Sequence, residues 1–148
     1  MDAIATLVAV RERTAKEVAE RLCKRGFTEQ ETNEALEEAM RCGLIDEERY
    51  TRAYIRGKTA LGWGRLKIKQ KLEEAGISDE LVSICEEEFA DEAEELAGAK
   101  RILMHAHTQS ANPSAAYIRK LMNKGYSYDT AFKAVREHLE SNSAEYVS

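Results

Sequence analysis

The chain contains 148 residues, of which 43% are hydrophobic and 33% are charged, and its net charge at pH 7 is −5. This length and apolar content are sufficient for one ordinary domain with a hydrophobic core, and they exclude only a large catalytic assembly. The acidic balance disfavours a protein whose whole purpose is to bind free DNA, because counterion release by Lys and Arg supplies most of that affinity.

The composition favours α-helix along nearly the whole chain. There is one proline, and Glu, Lys, Arg, Ala and Leu are abundant; these side chains lose little rotamer freedom in a helix. No stretch approaches the roughly 20 consecutive apolar residues of a membrane span, and residues 1–13 lack the basic start of a secretory signal. We therefore expect a cytoplasmic protein with no membrane contact.

Residue types that carry catalysis or bind cofactors are few. The cysteines Cys23, Cys42 and Cys85 are odd in number and have neither CxxC nor CxxxC spacing, which argues against a disulfide framework and a zinc site. We predict that they act as small apolar residues. The sequence contains no GxxxxGK[ST] or GxGxxG loop, and we expect neither a cofactor nor an enzymatic activity.

A short motif recurs three times at intervals of about fifty residues. Each copy reads Leu, three residues, Gly, a bulky apolar residue, then Ser or Thr, and the three glycines are Gly26, Gly76 and Gly125. Glycine suits the left-handed position that closes a helix, and a hydroxyl two residues later suits the N-cap of the next helix. Each copy therefore predicts a helix, a tight turn and a second helix.

A further helix precedes each of these pairs, because apolar columns recur when the sequence is traced back from each glycine. In chain order, we predict helices over residues 3–12, 15–25 and 29–42, then 46–61, 65–75 and 79–90, and finally 91–107, 114–124 and 128–140. Side chains predicted to be buried at equivalent positions include Ala35, Cys85 and Ala134, and also Met40, Ala90 and Leu139. The helix over 65–75 is predicted to bury Leu66, Ile68 and Leu72.

This pattern predicts an all-α protein of three tandem three-helix repeats, with repeat 1 at residues 1–43, repeat 2 at 44–90 and repeat 3 at 91–148. Each repeat has a small core, and such units usually gain stability by stacking on their neighbours. We therefore expect an elongated, curved molecule that binds a large partner. The alternative is a compact helical bundle whose periodicity is accidental.

Charge is segregated in the middle of the chain. Residues 56–71 carry six Lys or Arg and no Asp or Glu, whereas residues 72–99 carry eleven Asp or Glu and no Lys or Arg. We call the first stretch the basic segment; its cations are Arg56, Lys58, Arg65, Lys67, Lys69 and Lys71. Cations spaced four apart point outward together from a helix and suit phosphates or an acidic protein surface. A solvated helix face is the alternative.

Two further features accompany the basic segment. Trp63 lies between Gly62 and Gly64, where an indole either stacks on a nucleic-acid base or fills a gap between repeats. The acidic run over residues 73–95 is either a hydrated helix face or a surface that mimics or repels nucleic acid.

A second group of cations begins at Arg11, and Arg13 and Lys16 are the candidates for binding within it. Acidic residues interrupt this group at helical spacing, and ordinary pairing along the helix is the competing interpretation.

Three segments resemble the RecX family, whose members regulate the bacterial recombinase RecA. Residues 11–18 (RERTAKEV) are similar to the family's RxRSxxEL, and residues 43–50 (GLIDEERY) to its GYLDDxRFA segment. Residues 62–66 (GWGRL), with Leu72 and Gly76 following, are similar to its GxxRIxxxLxxxGI segment. Departures such as Thr14 in place of serine keep polarity or size. From Asn112 onward the likeness is limited mainly to Leu121 and Gly125.

The resemblance implies three tandem three-helix repeats and a regulatory role in DNA repair, DNA recombination and the SOS response. The protein would lie in the groove of a RecA filament on single-stranded DNA and mostly inhibit its recombinase, ATPase and coprotease activities. Its partners would be the RecA filament and single-stranded DNA, contacted directly or through the filament, and it would act as a monomer. Our candidate contact residues are Arg13, Lys16, Arg56, Lys58, Trp63, Arg65, Lys67, Lys69 and Lys71.

A helix-turn-helix DNA-binding regulator is the competing function, because tight glycine turns between helices also occur in that class. Such a protein reads duplex DNA through one helix in the major groove. The candidate recognition helix after Gly26 carries five glutamates, and the one after Gly76 is more acidic still. Only the helix after Gly125 lacks this acidic charge.

Overall fold

The computed structural model describes residues 2–10 and 12–147, which contain nine α-helices and no strand. The helices are α1 (Asp2–Val10), α2 (Ala15–Lys24), α3 (Glu29–Arg41), α4 (Glu47–Ala60), α5 (Arg65–Glu74), α6 (Asp79–Ile84), α7 (Glu92–Met104), α8 (Pro113–Asn123) and α9 (Tyr128–Val147). The predicted all-α class is confirmed. No helix within these described ranges is both long and apolar enough to cross a membrane.

The predicted helix boundaries agree to within a few residues except at two ends. Helix α6 ends at Ile84, and a 3-10 turn follows at Glu86–Glu88. Three successive carboxylates would add negative charge to the helix C-terminus, where the macrodipole is already negative. Helix α9 continues to Val147 instead of ending near residue 140, because residues 141–147 contain neither Gly nor Pro to stop it.

Three glycines close the middle helices of the repeats as predicted. Gly26, Gly76 and Gly125 have φ angles of +91°, +88° and +104°, a backbone conformation that favours glycine. The N–H of the next residue donates to a carbonyl oxygen five positions earlier, and the pairs are Phe27 to Leu22, Ile77 to Leu72 and Tyr126 to Leu121. The three repeats therefore use the same helix-ending turn.

Hydroxyl side chains begin the helices that follow all three of these turns. Thr28 Oγ1 accepts from the backbone N–H of Glu31 at 3.1 Å, and Glu31 Oε1 accepts in return from the N–H of Thr28 at 3.0 Å. This reciprocal pair is the capping box that the Thr28 and Glu31 spacing indicates. Ser78 Oγ similarly accepts from the N–H of Leu81 at 3.2 Å, and Ser127 Oγ accepts from the N–H of Thr130 at 3.2 Å.

The chain divides into two compact units, which we describe separately. Unit 1 comprises Met1–Tyr54 and Lys71–Glu86, and unit 2 comprises Ile55–Gln70 and Glu87–Ser148. A core cluster of unit 1 contains Ile4, Leu7, Val18, Leu22, Ala39 and Ile45. A core cluster of unit 2 contains Ala99, Leu103, Ala106, Leu121, Tyr126, Ala131, Ala134 and Val135. The division of the sequence into repeats at residues 43/44 and 90/91 stays a prediction.

Some positions predicted to be buried are exposed. Cys85 is fully buried as expected, but Cys23 and Cys42 are exposed. Met40 is 49% exposed and Leu66 is 55% exposed. Leu66 lies two residues before the buried Ile68, and a step of two residues turns an α-helix by about 200°, which puts the two side chains on opposite faces.

Candidate functional site

The basic segment follows the end of α4 into the first part of α5. Gly62 has a φ of +88°, and the backbone N–H of Trp63 donates to the carbonyl oxygen of Lys58 at 3.0 Å. This hydrogen bond closes α4 and turns the chain sharply. The side chains of Lys58, before the turn, and Lys67, after it, therefore reach the same indole ring.

Two ammonium groups lie over the ring of Trp63. Lys67 Nζ is 4.0 Å from a ring centroid and Lys58 Nζ is 4.6 Å from it. The electron-rich face of an indole attracts cations at these distances, with about 0.5–1 kcal/mol for each at an exposed site. All three side chains are partly exposed. We call Lys58, Trp63 and Lys67 the indole cluster, and it presents two positive charges on unit 2.

Arg65 is bound closely within unit 2. Its backbone N–H donates to Glu95 Oε1 at 2.9 Å, and its Nη2 donates to the carbonyl oxygen of Ala90 at 3.3 Å. The guanidinium carbon lies 4.8 Å from the centroid of the Phe89 ring. A carboxylate is favourable at the first N–H groups of a helix, where the macrodipole is positive. Arg65 and Glu95 therefore anchor the start of α5.

Two other cations of the basic segment contact the acidic run or its neighbours. Arg56 Nη1 is 2.9 Å from Glu88 Oε1 in an ion pair. Lys69 Nζ lies 5.3 Å from the ring centroid of Phe89. The ion pair between Arg56 and Glu88 thus neutralises one cation of the basic segment with one carboxylate of the acidic run.

A cleft of about 270 Å³ lies beside Trp63 in unit 2, and its lining includes Glu94, Glu95, Arg101, His105 and Tyr126. Burial raises the pKa of Glu95, and the hydrogen bond from the Arg65 N–H and the charge of Arg65 only partly oppose it. Burial likewise raises the pKa of Tyr126, whose hydroxyl donates to the carbonyl oxygen of Gly62 at 3.0 Å. Across the described part of the chain, no three His, Cys, Asp or Glu side chains group to hold a metal ion.

The remaining predicted contact residues belong to unit 1. Arg13 is only 6% exposed, and its Nε donates to the carbonyl oxygen of Leu7 at 3.2 Å. Lys16 Nζ donates to the carbonyl oxygen of Glu74 at 3.0 Å, and Lys71 pairs with Glu74 Oε2 at 3.2 Å. The binding roles of these three cations stay predictions.

Arg11 lies outside the described residues. The site proposed below uses the indole cluster and does not depend on the cations of unit 1.

Sequence reasoning missed an aromatic pair on α9. Tyr128 and Phe132 are 55% and 45% exposed, and their rings stack with centroids 6.1 Å apart and planes at 24°. The guanidinium carbon of Arg136 lies 6.0 Å from the Phe132 ring centroid. The spacing of four residues between aromatic side chains on a helix was the available signal.

Two family models match separate segments of the chain. Residues 2–38 match the model described as the first three-helix domain of RecX. Residues 46–84 match the model described as the second three-helix domain of RecX. Together the two matches cover about half of the chain, and both fall where the sequence predicts repeats 1 and 2.

Similar proteins include regulatory proteins named RecX. The one from Clostridium perfringens (strain 13 / Type A) is 33% identical over 130 residues, which cover 84% of this chain and 61% of that protein. The one from Amycolatopsis mediterranei (strain U-32) is 25% identical over 144 residues, which cover 94% of this chain and 82% of that protein. This chain thus spans about three fifths of the length of the Clostridium protein.

A crystal structure of RecX from Lactobacillus salivarius has the same fold. The two structures match with a TM-score of 0.76 at 21% sequence identity, over 93% of this chain and 92% of that chain. At this identity the likeness concerns the fold alone.

Proposed function

The chain belongs to the RecX family of regulatory proteins, and from this premise we propose that it binds the RecA filament on single-stranded DNA and mostly inhibits its recombinase, ATPase and coprotease activities. It acts in the cytoplasm in DNA repair, DNA recombination and the SOS response, as a monomer and without a catalytic step or cofactor of its own. Any effect on ATP hydrolysis is then exerted on the RecA subunits.

The indole cluster is the observation that supports this interface. Lys58 and Lys67 are already positioned on the ring of Trp63, so that less side-chain freedom is lost when they meet a negatively charged surface. Positive charge that is arranged before contact also steers association with a polyanion. A nucleoprotein filament offers such charge on its phosphates and on acidic side chains.

Arg65 is less suitable than the indole cluster as a test of this interface. Its guanidinium donates to the carbonyl oxygen of Ala90 and lies over the Phe89 ring, beside the start of α5. Replacing it would disturb folding and binding together. The best test therefore reverses Lys58 and Lys67 alone and leaves Arg65 unchanged.

The experiment measures ATP hydrolysis by RecA on single-stranded DNA across a concentration series of this protein. We expect the wild type to slow hydrolysis at well below one chain per RecA subunit. The double variant Lys58→Glu and Lys67→Glu should need about tenfold more protein for the same effect, which corresponds to about 1.4 kcal/mol of binding. Lys24→Glu with Arg25→Glu changes the net charge equally at two exposed positions of unit 1 and should behave as the wild type.

The outcomes separate the function from the site. If the wild type neither inhibits nor stimulates hydrolysis at any concentration, the proposed function is wrong. If the Lys58 and Lys67 reversal inhibits as well as the wild type does, the interface lies elsewhere and the regulatory role stands.

The helix-turn-helix alternative would use α9, which follows the Gly125 turn and exposes Lys133 and Arg136. Titration of the isolated protein with duplex DNA at several salt concentrations addresses it. Tight binding to one duplex sequence, in the absence of RecA, would favour this alternative over filament regulation.

A further inference from the structure

Helix α9 carries a row of three side chains that are not part of the core cluster of unit 2. Tyr128 and Phe132 expose about half of their surface, and their rings stack on each other. Arg136 continues the row, with its guanidinium beside the outer ring. We call Tyr128, Phe132 and Arg136 the aromatic row; the intervals of four residues put all three on one side of α9.

The core-facing side of α9 is formed by other residues. Ala131 and Ala134 are fully buried, and Val135 is 1% exposed. Packing of α9 in unit 2 therefore depends on these small side chains. Leaving two large rings in water forgoes the free energy that their burial would provide. Two stacked, half-exposed rings bordered by a cation are a candidate binding surface.

The other repeats provide an internal comparison for the aromatic row. Tyr128, Phe132 and Arg136 follow Gly125 by 3, 7 and 11 residues. The equivalent positions after Gly26 in repeat 1 are Glu29, Asn33 and Glu37. Those after Gly76 in repeat 2 are Asp79, Ser83 and Glu87. The repeat therefore tolerates small polar and acidic side chains at these positions. The third copy differs in having two rings and a cation.

The surroundings of the row are also basic. From Pro113 to Glu137 the sequence has five Lys or Arg and two acids, Asp129 and Glu137, and Glu137 forms an ion pair with Lys100 at 3.0 Å. Lys133 is exposed on the turn of α9 next to Phe132. This excess of positive charge complements a polyanion, in contrast with the net charge of −5 of the chain as a whole.

We propose that the aromatic row binds single-stranded nucleic acid directly, without RecA. Unpaired bases stack on the exposed faces of Tyr128 and Phe132, while Arg136 and Lys133 pair with the neighbouring phosphates. In a duplex the bases stack on each other and leave no free face for these rings. A purely acidic peptide would pair with the cations but has no apolar or aromatic group to pack on the rings. Rings and cations together therefore favour a single strand.

The test measures fluorescence anisotropy of labelled single strands, oligo(dT) and oligo(rU) of about 30 nucleotides, which exceed the site size of one small binding domain. A duplex of equal length is the third probe. We expect the wild type to bind the single strands more tightly than the duplex. The ratio between the dT and rU affinities shows whether DNA or RNA fits better.

The informative variant takes its side chains from repeat 1: Tyr128→Glu with Phe132→Asn. Its affinity for single strands should fall at least tenfold, because each base stacked on an aromatic ring contributes about that much. Phe132→Leu keeps an apolar side chain without a ring and should also weaken binding. Tyr128→Phe with Phe132→Tyr keeps both rings and should bind normally. Met104→Gln alters another exposed apolar side chain of unit 2, one that is 70% exposed, and should have no effect.

Circular dichroism checks that each variant retains its helices. The proposal is overturned if the wild type does not bind single strands, if it prefers the duplex, or if Tyr128→Glu with Phe132→Asn binds as the wild type does. Because no RecA is present, these outcomes are independent of the ATPase experiment and of the proposed regulatory function.

Discussion

The backbone N–H of Gly64 donates a hydrogen bond to the carbonyl oxygen of Lys124 at 2.8 Å. Leu66 then donates its N–H to the carbonyl oxygen of Gly125 at 3.0 Å. The start of α5 is thereby joined to the turn after α8 within unit 2. A Cβ atom on Gly64 would lie 2.4 Å from the carbonyl carbon of Gly125, so the backbones approach this closely only because both residues lack side chains.

Unit 1 contains an equivalent joint one repeat earlier in the sequence. Thr14 Oγ1 donates to the carbonyl oxygen of Ala75 at 2.7 Å. Thr14 precedes Gly64 by 50 residues, and Ala75 precedes Lys124 by 49. The start of α2 therefore meets the turn after α5 as the start of α5 meets the turn after α8. This explains why each compact unit combines segments from two of the predicted repeats.

Replacing Gly64 with alanine should destabilise unit 2. The new methyl group would overlap backbone atoms of the Gly125 turn, which cannot move aside as a flexible side chain can. Overpacking of this kind costs about 1–3 kcal/mol. Gly125→Ala should cost at least as much, because a Cβ there would lie 2.4 Å from Lys67 Cβ and the φ of +104° adds strain. Urea unfolding followed by circular dichroism measures both.

Gly57→Ala is the matched control for this pair. Gly57 lies inside α4, has an ordinary helical φ, and would place its Cβ in open space. Alanine is favoured over glycine in a helix by about 0.5–1 kcal/mol, so this variant should be more stable than the wild type. If Gly64→Ala unfolds at the same urea concentration as the wild type, the two turns are not in close contact in solution.

Thr14→Val should weaken the joint of unit 1. Thr14 is fully buried, and its hydroxyl both donates to Ala75 and accepts from the backbone N–H of Glu17 at 3.2 Å. Valine has nearly the same shape but leaves both partners unsatisfied, at a cost of about 2 kcal/mol.

Thr14→Ser keeps the hydroxyl, and it should lose less stability than Thr14→Val in the same urea titration. Equal losses for the two variants would show that the hydroxyl does not stabilise the joint, and that packing of the methyl group accounts for the effect.

Helix ends could be predicted from the sequence because they depend on chemistry within a few residues. The φ of Gly26 and the capping box of Thr28 follow from residue type and spacing. The joints could not be predicted in this way. The pairing of Gly64 with Lys124 joins residues 60 positions apart and depends on how helices pack. The sequence periodicity shows which positions of the three repeats are equivalent, but it does not show which positions of different repeats are in contact.

The candidate site likewise has features that follow from the nearby sequence and features that depend on tertiary packing. The run of six cations around Trp63 predicts Lys58 and Lys67 as contact residues from the sequence alone. Charge counting could not distinguish these from Arg13, whose Nε donates to the Leu7 carbonyl oxygen, or from Arg65, whose guanidinium donates to the carbonyl oxygen of Ala90 and lies over the Phe89 ring. The acceptors and rings that the fold places near each cation depend on tertiary packing, which the sequence does not specify.

The fluorescence of Trp63 should report the positive charge of the indole cluster, because this is the single tryptophan of the chain. The ammonium groups of Lys58 and Lys67 raise the local concentration of anions. At low ionic strength iodide should therefore quench the fluorescence more strongly in the wild type than in the variant Lys58→Gln with Lys67→Gln. Quenching by neutral acrylamide, which measures exposure alone, should be similar for both. If iodide quenches the wild type and the double variant equally, the two ammonium groups do not lie over the Trp63 ring in solution.

Glu95→Gln should stabilise unit 2 at neutral pH more than at acidic pH. Burial raises the pKa of Glu95 above its ordinary value in the folded protein, so folding disfavours the charged carboxylate. The contribution of Glu95 to stability is greatest below the unfolded pKa and declines as pH rises through the folded pKa. Glutamine keeps the carbonyl oxygen that accepts from the Arg65 N–H but cannot ionise.

Urea unfolding of the wild type and of Glu95→Gln at pH 3 and pH 7.5 tests this sign, because these two pH values lie more than one unit below and above the ordinary glutamate pKa of about 4.3. The difference in free energy of unfolding should be small at the lower pH, where the wild-type carboxyl is largely protonated. At the higher pH Glu95→Gln should be the more stable protein. A variant that is instead less stable at pH 7.5 would mean that the charged carboxylate, through Arg65 and the helix N-terminus, stabilises α5 by more than its burial costs.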